Sequence, residues 1–172
     1  IPAHKRIYLQ GWGYAKEPPY IAQRAELFHS PAMRSAGDQA FAMAGKAMPD
    51  MDFLDIYSCF ASNMNFTRDI LGIADDDPRS LTVTGGLPYF GGPGNNYTTH
   101  SIAAMVELLR ENRGSSGLVT GVGMHMTNHS FAIYSSMPQD ITLVAPGRTD
   151  HTSVEIAARA EGAAVIVGYT VM

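Results

Sequence analysis

Charge, cysteine and long apolar runs are what this sequence has least of. Only 16% of its 172 residues are charged against 45% hydrophobic, a balance that excludes a disordered chain and suits a compact fold. The net charge of -4 gives no basic surface for nucleic acid. A phosphate-bearing ligand would have to be held locally, by helix ends and a few basic residues. The single cysteine, Cys59, excludes an internal disulfide and a Cys-rich metal site and suits a reducing cytoplasm. No apolar stretch is long enough to span a membrane, and no charged-then-apolar leader opens the chain, so a soluble, unsecreted, cytoplasmic protein is expected. The GxGxxG and P-loop patterns are both missing. The chain opens at Ile1 without an initiator and stops at Tyr169, Thr170, Val171 and Met172 inside a strand-like run. We therefore expect a piece of a longer protein, either one domain or one half of a pseudo-symmetric pair.

What is abundant is glycine, concentrated in one place. The stretch Leu81 to Ser101, LTVTGGLPYFGGPGNNYTTHS, holds five glycines, two prolines, two consecutive asparagines and a histidine between a β-like run and a helix start. Glycines allow backbone N–H groups to approach a ligand closely, and Thr98 or Thr99 is placed to cap the following helix with its positive end towards the loop. The alternative is a tight structural turn.

Around this loop the pattern alternates. Lys5 to Tyr14 reads as a strand. Ser30-Pro31 opens a helix carrying Met33, Ala36, Ala40, Phe41 and Ala44 on one face, and Gly45 stops it. Phe53 to Cys59 reads as a short buried strand running into a second helix near Ser62, with Phe60, Met64, Thr67 and Leu71 along one side and Gly72 at its end. The acidic run Asp75 to Pro78 reads as a solvated turn. After the glycine loop a helix turns Ile102, Met105, Val106 and Leu109 inward and Glu107, Arg110 and Glu111 outward. Gly117 to Met124 and Phe131 to Ser135 read as adjacent strands joined by a second loop that carries His125 and His129. From Pro138 the texture changes to a linker and two strand-like runs, VEIAARAEG and AAVIVGYTVM. The expectation is an α/β fold with an open mixed sheet covered by helices over residues 1–137. Residues 138–172 are expected to form a linker and the beginning of a β-rich module.

Four polar groups fall where strands end or loops return, which is where ligands bind in open α/β sheets: Tyr57, Cys59, His100 and the pair His125 and His129. Tyr57 is either a site hydroxyl or a core tyrosine. Cys59 is either a nucleophile or a small buried residue. His100 stands near a helix start, where the dipole favours a neutral ring able to act as base, or it is a surface residue. The spacing of His125 and His129 fits metal ligation only on a helix, and the neighbouring glycines indicate a loop, so no metal is expected.

These segments together resemble the C-terminal half of the thiolase superfamily, enzymes that make or break carbon–carbon bonds beside an acyl-CoA thioester. The resemblance runs from Ile1 to about Pro138. Tyr57-Ser58-Cys59-Phe60 stands where one branch has Asn-Glu-Ala-Phe and the sterol-carrier branch has His-Asp-Cys-Phe. Gly85-Gly86-Leu87, ahead of Gly91-Gly92-Pro93, is similar to the approach to the family's Gly-His-Pro motif, and Gly121-Val122-Gly123 to its Cys-x-Gly motif. On this resemblance the family's catalytic histidine falls on Gly92, its second cysteine on Gly121 and its water-holding asparagine on Tyr57. The acyl-accepting cysteine belongs to an N-terminal half that lies outside this sequence. GGPGNNY with a distal histidine is similar to a divergent bacterial branch, often called acetyl-CoA acetyltransferase, with an added C-terminal β domain.

The resemblance implies an acyl-CoA substrate with no further cofactor, an N-terminal thiolase half as partner, and a homo-oligomer. It also implies substrate-binding positions at Gly91, Gly92, Asn95, Asn96, Gly121, Gly123 and His125, and catalytic ones at His100, His129 and Tyr57. Two other functions fit the same residues: a CoA- or partner-binding protein without catalysis, and a thiolase-fold retro-aldolase using Tyr57.

Overall fold

The computed structural model describes residues 1–147, 149 and 153–166. Its elements are β1 (Tyr8–Lys16), α1 (Pro31–Ala44), β2 (Phe53–Asp55), α2 (Ala61–Leu71), the single turn α3 (Leu87–Phe90), α4 (Tyr97–Glu111), β3 (Ser116–Gly123) and β4 (Asn128–Ser135). The four strands form one open mixed sheet in the order β1-β4-β3-β2. β4 runs antiparallel to both β1 and β3, whereas β2 and β3 are parallel.

Strand alternation assigns the two faces. The rung Ala15–His129–Val122 and its even neighbours point towards α1, and the rung Tyr14–Ser130–Gly121 points towards α4. On the first face α1 lies directly on β1. A Cβ at Gly11 would sit 2.1 Å from the carbonyl oxygen of Ala40, and one at Gly13 would sit 1.8 Å from that of Ala36, so only glycine permits this approach. The helix answers with Ala32, Ala36, Ala40 and Ala44, all buried at one-turn spacing. Leu54, Ile56, Ile70, Ile73, Leu118, Phe131 and Ile133 complete this core. On the second face Met105 and Leu109 of α4 close over Val119, with Phe53, Ile102, Val83 and Tyr134 at the margin.

Local signals predict the first helices well. Ser30 Oγ accepts from Met33 N–H at 3.1 Å with Pro31 at the first helical position, and Gly45 and Gly72 end their helices in the left-handed region at φ 60° and 67°. Elsewhere the structure corrects the expectations. The strand expected over residues 53–59 is only three residues long, because the chain turns away after Asp55. Leu81 to Thr84 forms no strand: Asp55 Oδ2 accepts the N–H groups of Val83 and Thr84 at 3.0 and 3.1 Å and so takes donors a ladder would need. Thr67 is buried as expected and Met64 and Leu71 pack partly against the core, but Phe60 is exposed, and Asn63 and Ile70 complete the buried side of α2.

The acidic turn is not wholly solvated. Asp77 receives Arg79 at 2.6 and 2.9 Å, and the same guanidinium bonds the carbonyls of Met48 and Met51 at 3.0 and 2.7 Å. These hydrogen bonds hold the Asp77 carboxyl at about 2. β1 runs on to Lys16, and β4 begins at Asn128, three residues earlier than the pattern indicated. Residues 154–166 contain no strand, which overturns the strand reading of VEIAARAEG. The remainder of the last run, residues 167–172, lies outside the described residues.

Candidate functional site

A cleft of about 230 Å³ opens on the α4 face of the sheet, at the end of β3 and the start of α4. Gly121, Val122 and Gly123 of β3, Asn128, His129 and Ser130 of β4, Tyr14 of β1, Tyr57 beyond β2, and Asn95 and Thr98 at the start of α4 line it. No charged side chain is among them. The donors are neutral: three kinds of hydroxyl and two amides.

Each is held by its element. Tyr57 N–H donates to Thr120 Oγ1 at 2.9 Å, and the Tyr57 carbonyl accepts from Asn63 Nδ2, which together fix the chain after β2. Its ring meets Tyr97 edge-to-face at 5.5 Å. Tyr97 is buried and its hydroxyl shares a hydrogen bond with Thr84, which also donates to Asp55 at 2.9 Å, so the head of the glycine loop, α4 and Tyr57 are tied into one frame. Ser58 Oγ accepts from Leu87 N–H at 2.9 Å and fastens the loop a second time. Tyr14 O–H donates to Asn128 Oδ1 at 2.9 Å, which leaves the Asn128 Nδ2 hydrogens for a ligand.

Burial, with Cys59 and Tyr97 nearby, pushes the Tyr57 hydroxyl up, so it stays protonated and serves as a donor and not as a base. Burial likewise pushes the Cys59 thiol up, which removes the thiolate that a nucleophile needs.

The structure brings Tyr57, Asn95, Gly121 and Gly123 together, with His129 in the wall behind them. It does not bring the other candidates there. His129 is fully buried on the rung that points towards α1. Its Nε2 lies 3.0 Å from the Met126 carbonyl, an atom that can only accept, so Nε2 carries the proton; Ser30 Oγ stands 3.3 Å away on the same side. Ser30 in turn donates to Glu17 Oε1 at 2.6 Å. His129 is thus a buried member of a Glu17–Ser30 network beneath the sheet.

His100 packs against Phe90 and Tyr97, with ring centroids at 5.3 and 6.4 Å, and does not line the cleft. His125 is exposed in the turn between β3 and β4 and borders a separate hollow of about 170 Å³ with Arg24, Glu26 and His29. Neither helical nor joined by a third ligand, the His125 and His129 pair holds no metal arrangement, and no cluster of three or more His, Cys, Asp or Glu suited to a metal occurs among the described residues. Gly91, Gly92 and Asn96 stand outside the lining, and a side chain at position 92 would meet Leu87 Cδ2 at 2.5 Å. Neither Thr98 nor Thr99 caps α4 as foreseen: the helix begins at Tyr97 with no side-chain cap, and Thr99 Oγ1 donates to the Asn96 carbonyl at 2.6 Å.

Sequence reading missed Tyr14, Thr98, Asn128 and Ser130 as lining residues. A signal existed for two of them. Once the turn after Gly123 is recognised as four residues long, Ser130 must face Gly121 and Asn128 must face Gly123.

Among solved structures, the chain is similar to a monomeric SCP2-thiolase-like protein type 1 from Mycobacterium smegmatis, with 41% identity and a TM-score of 0.78 over 86% of this chain and 32% of that one. Human mitochondrial 3-ketoacyl-CoA thiolase aligns with a TM-score of 0.55 at 17% identity, over 75% of this chain and 30% of its own, which is a likeness of fold. The chain therefore spans about a third of either protein's length. No family model and no curated protein matches it.

Proposed function

We propose, starting from a chain whose fold is that of the thiolase superfamily, that the parent protein handles acyl-CoA thioesters and that this chain supplies one half of the site. The observation that carries this reading is the cleft itself: neutral hydrogen-bond donors converge on one space with no charged group in its lining. A thioester is a neutral acceptor whose oxygen gains negative charge as an enolate or tetrahedral species forms. Donors fixed in advance around that oxygen stabilise it without reorganisation. Tyr57, kept protonated by burial, supplies one such donor, and Asn95 and Asn128 stand beside it. In an acyl transfer of the acetyl-CoA C-acetyltransferase kind, the base and the acyl-accepting nucleophile come from the remaining part of the protein, because His100 is not in the lining and His129, in the cleft wall, commits its Nε2–H to the Met126 carbonyl.

A second reading, thioester binding without turnover, is favoured by two observations: the His129 Nε2–H is committed to the Met126 carbonyl, and Cys59 is held as a thiol. The test is intact mass spectrometry of the full-length parent after incubation with acetyl-CoA, alongside calorimetry with CoA. A covalent acetyl adduct supports acyl transfer. CoA binding without an adduct supports the second reading or a lyase working through Tyr57, which Tyr57→Phe then separates. Failure to bind either thioester or CoA overturns the proposal.

A further inference from the structure

The space beside Gly121 is bordered by two hydroxyls. A Cβ built there would lie 2.6 Å from Ser130 Oγ, which rises from β4 on the same rung, and 3.4 Å from Thr98 Oγ1, which reaches in from the first turn of α4. Ser130 Oγ therefore occupies the volume that a side chain at position 121 would claim, and Thr98 Oγ1 stands in van der Waals contact with it, at the floor of the cleft. Neither is committed to the protein. Ser130 Oγ makes only a long contact with the Gly121 carbonyl at 3.4 Å, and Thr98 Oγ1 makes no hydrogen bond among the described residues. Half-buried hydroxyls without a firm protein partner are available to a ligand acceptor that enters the cleft. On the next rung Asn128 Nδ2 has the same status, since only its oxygen is engaged by Tyr14.

We propose that Ser130 and Thr98 are the carbonyl-binding residues of this cleft, donating from β4 and α4 to the oxygen of a neutral thioester or ketone. The inference rests on the acyl-CoA reading above and adds the atoms that recognise the acyl group. It also fixes the class of substrate. A free carboxylate brought into the cleft would lose its hydration without meeting a cation, whereas a thioester carbonyl exchanges water for two hydroxyl donors. The cleft thus favours the acylated form over the free acid. No side chain larger than hydrogen at position 121 is compatible with this arrangement while Ser130 keeps its place.

The test uses the full-length parent and three ligands: acetyl-CoA, S-ethyl-CoA, which is a thioether lacking the carbonyl, and CoA. Wild-type protein is expected to bind acetyl-CoA more tightly than S-ethyl-CoA. Ser130→Ala or Thr98→Val should each weaken acetyl-CoA about three- to tenfold, the worth of one hydrogen bond, and leave S-ethyl-CoA and CoA unchanged. Thr98→Ser, which keeps the hydroxyl, should retain the preference. Should Ser130→Ala fail to fold, the isosteric Thr98→Val decides alone. Equal weakening of all three ligands, or an unchanged preference in folded variants, overturns the assignment while leaving the acyl-CoA reading intact. Absence of binding by any of the three in the wild type overturns both.

Discussion

Protonating His129 would place a positive charge on a ring with no exposed surface and an Nδ1 that has no partner among the described residues. Burial pushes its pKa below the ordinary 6.5, against opposing pulls from the Met126 carbonyl and Glu17 and with help from Arg24. The unfolded chain therefore binds more protons between the folded value and 6.5. Stability is complete above about pH 6.5 and falls as the pH drops through that window. Urea midpoints measured from pH 7.5 downwards should decline below neutrality, and His129→Gln should flatten the decline; an identical slope in both proteins would refute the assignment. The same residue illustrates what the sequence leaves open. Its type and its place beside a glycine-containing loop make it a site candidate, but strand parity decides which face it joins. A turn of unknown length hides that parity. Ser130 became visible, and His129 was displaced, by the same one-residue question of register.

Elements whose ends are chemically marked were readable in advance. Ser30-Pro31, Gly45 and Gly72 act within a single turn, so their neighbours suffice to interpret them. The failed strand at 81–84 depends instead on a carboxylate 28 residues earlier, and no local pattern records that. The contact of α1 with β1 sits between these cases, since small residues on both elements announce a close approach without saying which atoms meet. Gly13→Ala should cost about 3 kcal/mol or more, because the obstacle is the main-chain oxygen of Ala36 and not a movable side chain. Gly37→Ala, on the same helix, is the control. Its Cβ would stand an ordinary 3.6 Å from the Phe131 ring, and the gain in helix propensity should leave stability equal or higher. Thermal unfolding followed by circular dichroism compares the two, and similar losses would count against the close-packed interface.

For the molecule as a whole, the sheet is unevenly covered. On the α4 face of edge strand β1, Leu9, Trp12 and Tyr14 are 38%, 39% and 50% exposed, while α4 lies over β3 and its β2 neighbour. An isolated chain of this sequence is expected to self-associate through that strip. Light scattering should give a mass that rises with concentration and falls back in Trp12→Lys; a clean monomer throughout would argue that the strip is inert. The described residues contain no helix long and apolar enough to cross a membrane.

The strand order carries a consequence for how the protein comes into being. Of these four strands β1 is synthesised first and its ladder partner β4 last, with Tyr8 opposite Ser135. Until nearly all of this segment has been synthesised, β1 lacks the ladder that β4 supplies, and that edge and its aromatic residues stay open to other pairing. The interval between translating Lys16 and Asn128 is thus one in which β1 lacks its β4 ladder.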